Sequence, residues 1–384
     1  MGEMTPRERV ETALRHEEPD RVPLDIGGGN STSLLVETYE NLKEHLGKST
    51  PTRIMNKAFR SAELDEDVMV RLGSDVRSVR TKAPRNWTPP PSEPNTFIDG
   101  FGIKWRQTHY PGGYYWEIIA PPLAEATVSD LERFPWPDPA DPGRYEGLKE
   151  EVRDLYENTN YALMGDSVIK GFWEPMFMLR GVEQSLMDVV INKDFVHALM
   201  ERLFELNTAV TRRFLEITGP YLSVFRMADD MATQETLLMS PATYREMIKP
   251  YHQRFNTFLK EHTDAKIFSH SCGNVVPLLD ELIDAGFEIL NPVQVAAFKD
   301  PAGVKSKYGE KLTFWGGIDT QRVMPEGTPE EVREEVQLRI RQFGPGGGFV
   351  AAAVHNMQPD IPPQNIVAMS EAVRALGKYP INGG

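Results

Sequence analysis

The chain has almost no cysteine: Cys272 is the only one among 384 residues. A single thiol excludes an intramolecular disulfide framework and fits a reducing compartment, so a cytoplasmic location is expected. Long apolar runs are missing too. No stretch of about 18 apolar residues occurs, the length a membrane-crossing helix needs. The opening MGEMTPRERVETALRHEEPDRVP is charged where a secretory signal would be apolar. There is no basic surplus, since 42 Lys and Arg face 56 Asp and Glu for a net charge of −14. Nucleic-acid affinity comes largely from neutralised phosphates, so no nucleic-acid partner is expected, although a local Arg cluster for a small anion stays open. The acidity itself is what solubility alone would select. No fixed-period repeat and no low-complexity tract is visible.

What is present is an alternation of short apolar runs with long amphipathic segments. Eight runs read as strands: 21–28, 74–80, 161–166, 221–230, 265–273, 287–294, 311–319 and 347–356, each bounded by Gly, Pro, Asn or Asp. Helical spacing fills 34–46, 194–217, the segment from Ser240, 275–286, the segment from Thr328, and about 362–376. Ser240-Pro241 and Thr328-Pro329 are N-cap and first-turn pairs, Asn274 is a candidate cap, and Pro250 predicts a kink or break. Strand then helix, eight times over, predicts an α/β (β/α)8 TIM barrel, with a doubly wound open sheet as the alternative. The expected organisation is one barrel domain over 1–384 with an insertion at about 83–145. That insertion is rich in Pro, Gly and aromatics, and IKWRQTHYPGGYYWEII predicts a hairpin turning at Pro111-Gly112-Gly113 near the barrel mouth. The triple glycine 346–348 precedes a strand rather than a helix, which favours a turn over a phosphate cradle. Trp315-Gly316-Gly317 reads as backbone crowding.

In a barrel the active site lies at the C-terminal ends of the strands. The polar residues ending the predicted strands are Asp25 and Asn30; Asp166; Asp229, Asp230 and Gln234; His270, Cys272 and Asn274; Asn291 and Gln294; Asp319 and Gln321; and His355, Asn356 and Gln358. Within FSHSCGN, His270 and Cys272 are two residues apart, so on a strand both face one side. Imidazole and thiolate suit zinc, and a catalytic zinc takes three protein ligands and keeps one position open. His270, Cys272 and His355 supply three, and Asp230 or Gln234 a fourth. The plainer alternative is a packed thiol, because free cysteine is among the most buried residue types.

TPRERVETALRHEEPDRVP, the DD-x3-Q stretch followed by MSPATYREMIKPY, FSHSCGN, FWGGIDTQ and GGGFVAAAVHN together resemble the uroporphyrinogen decarboxylase superfamily over nearly the whole chain. The resemblance implies a (β/α)8 barrel and one of two activities. Decarboxylases of this kind are metal-free and grip the tetrapyrrole with an early Arg-rich segment. Here no arginine lies between Arg21 and Arg53, so that grip is missing. The other arm comprises zinc-dependent methyltransferases that work with corrinoid proteins, their ligands being H-x-C plus a cysteine after the last strand. His270 and Cys272 match the first part, and His355 stands where the second cysteine is expected. One thiolate fewer leaves the metal a stronger Lewis acid, which suits an oxygen substrate at least as well as a thiol.

The resulting expectation is a zinc-dependent methyltransferase moving a methyl group between a small methylated substrate, such as an aromatic methyl ether, and a partner corrinoid protein. No D-x-H-x-x-G cobalt-ligating motif occurs in this chain, which places the corrinoid elsewhere. His270, Cys272 and His355 are expected to hold Zn2+, and Asp230 and Gln234 to orient or protonate the leaving oxygen. Asp25, Asn30, Asp166, Asp229, Asn291, Asp319 and Asn356 are expected around the substrate, with Asp166 and Asn356 also fixing ligand tautomers. One alternative is a metal-free decarboxylase using Arg106, Arg180 and Arg226. The other is a non-catalytic corrinoid or tetrapyrrole binder. A homodimer is expected from related barrels.

Overall fold

The computed structural model describes residues 2–110, 113–166, 169 and 171–381. Seven parallel strands form one sheet: β1 (Val76–Arg80), β2 (Ala162–Asp166), β3 (Val224–Ala228), β4 (Lys266–His270), β5 (Ile289–Asn291), β6 (Thr313–Ile318) and β7 (Phe349–Ala353). Each pairs with its neighbours in chain order, the pattern right-handed strand–helix–strand units produce. The eighth predicted strand, 21–28, is an extended segment that joins the two sheet edges. Asp25 N–H donates to the Ala351 carbonyl at 2.9 Å on one side, and Asp75 N–H donates to the Leu24 carbonyl at 2.8 Å on the other. Pro23 brings no N–H, and the chain turns away at Gly27, so only isolated bridges form instead of a full ladder. The barrel is closed all the same.

Its interior is a packed core. Val76, Met164, Val224, Phe268, Ile289, Trp315 and Val350 meet on the axis, and Val10 and Leu14 from helix Pro6–Leu14 cover its N-terminal end. Side chains two residues further along a strand share its inward face. Above this apolar layer the inward positions are Asp166, Arg226, His270 and Asn291. The register sets Asp166 beside Arg226, and Ala228, His270 and Asn291 side by side. The sequence of the strands therefore puts polar chemistry at their C-terminal ends.

The outer helices carry the expected three- and four-residue apolar spacing, clearest in Lys193–Thr218, which buries Phe195, Leu199, Leu203, Leu206, Val210 and Phe214. Ser240 and Thr328 cap their helices as expected. Pro250 falls in the first turn of a second helix, so the predicted single helix is two, Pro241–Met247 and Lys249–Lys260. Asn274 is not a helix cap. A short 3-10 turn with Pro277 in it covers Val276–Leu278, and the helix proper is Leu279–Asp284.

The insertion forms a three-stranded antiparallel sheet of Thr96–Ile98, Lys104–Tyr110 and Gly113–Ala120, its first strand unforeseen. Pro111 and Gly112 of the predicted turn lie outside the described residues. A second unforeseen pair, Arg53–Asn56 with Ser61–Glu63, brings Phe59 to the barrel mouth. Gly316 lies at φ +128°, where an added Cβ would sit 1.9 Å from the Pro292 carbonyl oxygen, so backbone crowding fixes that position. Among the described residues no helix is long and apolar enough to cross a membrane.

Candidate metal centre

Strand β4 delivers His270 on its inward face, and the chain leaves the strand through Ser271, Cys272 and Gly273. Gly273 has φ +85°, and a Cβ there would come within 2.3 Å of the Thr233 carbonyl oxygen. That close approach to the 232–233 backbone swings Cys272 back over the strand end. Gln294 accepts the Gly273 N–H at 2.6 Å and pins the turn. After β7 the chain bends at 354–356 and breaks the strand alternation, which lets His355 reach inward.

His270, Cys272 and His355 each offer one ligand atom, and these atoms lie within 4.8 Å of one another. Cys272 Sγ is 3.4 Å from His270 Nε2, close to the roughly 3.5 Å separating two ligands of a tetrahedral zinc. The tautomer of His270 is fixed from behind. Asn291 Nδ2 donates to the Trp315 carbonyl at 2.9 Å, which turns Asn291 Oδ1 toward His270 Nδ1. Nδ1 must then carry the proton, and the Nε2 lone pair faces Cys272. This is the arrangement by which metal-binding histidines are oriented.

Burial, and then the neighbouring His270, push His355 down to about 4, so its imidazole is neutral and ready to ligate at neutral pH. Burial, and then Asp230, hold the Cys272 thiol above its ordinary value. A dication lowers a coordinated thiol far enough to deprotonate it. Asp230 accepts the Cys272 N–H at 2.8 Å and stands 4.0 Å from His270 Nε2; burial raises its carboxyl. The donor set, the locked tautomer and the neutral His355 fit a zinc ion.

A cavity of about 110 Å3 opens beside this cluster, lined by Asn30, Ser31, Phe59, Glu174, Arg226, Ala228, Asp230, His270, His355 and Asn356. Arg226 is buried beneath it, donating to Asp166 at 3.0 Å and to Ser31 Oγ. Asn30 accepts from Ser61 at 2.6 Å, and Asn356 accepts the Ser33 N–H at 3.2 Å, so both also order the 30–33 loop.

The remaining predicted site residues are committed elsewhere. Asp25 is fully buried under the cavity, accepting from Trp315 Nε1 at 2.9 Å and Gly28 N at 2.8 Å. Asp229 points away from the barrel axis; it accepts the N–H groups of Phe172 and Glu174, both at 2.7 Å, and meets His252 Nε2 at 2.8 Å. It therefore holds the N-terminus of helix Trp173–Arg180 in place. Asp319 accepts the Gln321 N–H in its own turn at 2.9 Å. Gln234 is exposed in the 233–236 turn and lines no part of the cavity, so the sequence expectation of a catalytic role for it is corrected.

With this geometry in view, comparison with known proteins decides the family. The family described as uroporphyrinogen decarboxylase (URO-D) matches residues 115–376. The chain belongs to the uroporphyrinogen decarboxylase family. A uroporphyrinogen decarboxylase of Pseudoalteromonas translucida is 23% identical over 286 residues, 70% of this chain and 75% of that enzyme. One of Serratia proteamaculans is 37% identical over 81 residues, which span 21% of this chain and only 22% of that enzyme. The methylcobamide:CoM methyltransferase MtaA of Methanosarcina barkeri is 28% identical over 149 residues, 39% of this chain and 40% of that protein. A solved methyltransferase from Methanosarcina mazei superposes with a TM-score of 0.64 at 19% identity, over 97% of this chain and 99% of its own. At that identity the likeness shows a shared fold.

Five cavity residues of this family member, Ser31, Phe59, Glu174, Arg226 and Ala228, escaped the strand-end reading. Arg226, named above only for the decarboxylase alternative, was legible by alternation, being two residues after the inward Val224 on β3. Glu174 and Phe59 carry no such signal, because a helix start and a hairpin tip bring them in from outside the barrel strands.

Proposed function

We propose that the protein is a zinc-dependent methyltransferase that moves a methyl group from a small O-methylated compound to a corrinoid carried by a partner protein. The observation that carries this reading is the convergence of His270, Cys272 and His355 beside a cavity, with His270 locked in its ligating tautomer by Asn291. Zinc held by His270, Cys272 and His355 would supply Lewis acidity toward the substrate oxygen. Asn30, Ser31 and Asn356 orient the substrate at the cavity wall. A corrinoid on the partner would supply the methyl acceptor. The oxygen keeps the bonding electrons and takes a proton, and Asp230, beside the ligands, is placed to donate it. Arg226 faces the charge developing on that oxygen. The lone cysteine as a metal ligand agrees with a reducing, cytoplasmic setting.

Decarboxylation of a tetrapyrrole is the second reading, favoured by the names of several relatives and by Arg226 at the cavity. It asks for a cluster of cations. Arg106 instead pairs with Glu117 on the insertion, and Arg180 is buried against Asp188. The test is metal content of protein purified without chelator, for wild type, Cys272→Ser and His355→Ala, followed by methyl transfer to a corrinoid protein. Near-stoichiometric zinc that falls in both variants is expected. A wild type that takes up no zinc while converting uroporphyrinogen would replace this reading with the second.

A further inference from the structure

The inner cavity is small, and a second, larger one adjoins it. About 300 Å3 lies between the insertion, the 56–59 hairpin tip and helix Trp173–Arg180, walled by Phe97, Phe101, Ile103, Trp105, Met178 and Leu179 among others. Phe59 and Glu174 line both cavities, so they form the neck between them. Two polar groups of the outer chamber are already engaged. Asp99 accepts from Trp105 Nε1 at 2.9 Å and from the N–H groups of Phe101 and Ile103 at 2.9 and 3.1 Å. Lys57 lies over the Phe97 ring, 4.2 Å from its centroid. Phe97 is further braced by Trp105, stacked at 5.8 Å, and by Trp116, edge-on at 4.7 Å. The walls are thus rigid and aromatic, and an occupant meets them through apolar contact.

The two volumes divide a substrate. An apolar cavity of about 150 Å3 is enough for benzene, so the outer chamber takes a substituted ring. The inner cavity takes only a small polar group next to the metal ligands. We infer that the outer chamber binds the ring of a methoxylated arene, whose methyl-bearing oxygen passes between Phe59 and Glu174 to the metal centre. This rests on the methyltransferase reading for its inner half, while the ring site stands on the chamber alone.

The test is calorimetric binding of 2-methoxyphenol to the zinc-treated full chain, compared with Met178→Trp and Ala58→Phe, two substitutions that fill the chamber away from the ligands. Zinc content and circular dichroism report on folding in each. Both variants are expected to keep their zinc and fold and to bind 2-methoxyphenol about tenfold or more weakly than wild type. Folded variants that bind it as tightly as wild type, or a zinc-loaded wild type that does not bind it, would overturn the inference. A wild type that binds the ring, loses it in both variants and holds no zinc would leave the chamber standing and remove the zinc reading instead.

Discussion

Asn291 is the most informative residue to perturb, because it lines neither cavity, contrary to its expected place around the substrate, yet orients a candidate ligand. It is fully buried, and its amide makes two bonds in opposite senses: Nδ2 donates to the Trp315 carbonyl at 2.9 Å, and Oδ1 faces His270 Nδ1. Replacing it by leucine keeps the volume and removes both. A buried N–H and a buried carbonyl are then orphaned, each costing about 1–3 kcal/mol of stability. The imidazole is also free to adopt the other tautomer or to rotate. Losing the group that orients a metal-bound histidine typically costs about 10- to 100-fold in metal affinity, about 1.4–2.7 kcal/mol of binding. Asn291→Asp separates the two effects. It keeps an acceptor for His270 Nδ1–H but sets an acceptor against the Trp315 carbonyl. Zinc affinity, measured by competition with a chromogenic chelator, is expected to fall in the order wild type, Asp, Leu, while both variants lose stability. If Asn291→Leu binds zinc within about twofold of wild type, the fixed tautomer has no bearing on metal binding, and the reasoning about this site fails.

Other outcomes follow from the same geometry. Burial raises Asp25 to about 6 from an ordinary 3.8, so its protonated form is the one the fold favours. Its contribution is fully present below pH 3.8 and is lost as pH rises through 6, about 3 kcal/mol in all. The stability difference between wild type and Asp25→Asn, from urea midpoints, should therefore shift across that window, and a pH-independent difference would contradict it. Arg226→Met leaves buried Asp166 without its guanidinium and should destabilise by about 3–5 kcal/mol; adding Asp166→Asn should restore part of the loss in thermal melts. Gly273→Ala forces a Cβ against the Thr233 carbonyl at positive φ, and both melting temperature and zinc occupancy should drop.

How far the site was legible depends on which physical rule governs each residue. Two-residue alternation on a strand made His270 and Cys272 readable as a pair. Carried two residues past the end of β3, the same rule separates Asp229 from Asp230: Asp230 follows the inward Arg226 and Ala228 and lines the cavity, and Asp229 turns the other way and holds a helix N-terminus. Grouping the two aspartates by adjacency hid that difference. Asp25 and Asp319 ended predicted strands as expected, but burial and local donors claimed them first, and neither claim is visible without the fold. The segment 21–28 was readable as extended and not as an irregular closure, since the effect of Pro23 depends on which neighbour would have paired with it.

The division of parts explains why the metal cluster was easier to read than the substrate wall. The candidate metal ligands sit on or just beyond β4 and β7, and their support comes from Asn291 on β5 and Gln294 just past it, so all of them come from barrel-strand ends and not from inserted segments. Phe59, Phe97, Trp105 and Glu174 come from a hairpin tip, an inserted sheet and a helix start, whose approach to the mouth no local pattern records. On the proposed function, chemistry and selectivity are therefore carried by separate stretches of chain. A barrel built this way can exchange its substrate wall without disturbing the strand-borne ligands. A family whose members bear both decarboxylase and methyltransferase names is what such an arrangement allows. For the same reason, family membership alone leaves this chain's substrate open, and the insertion is the place to look for it.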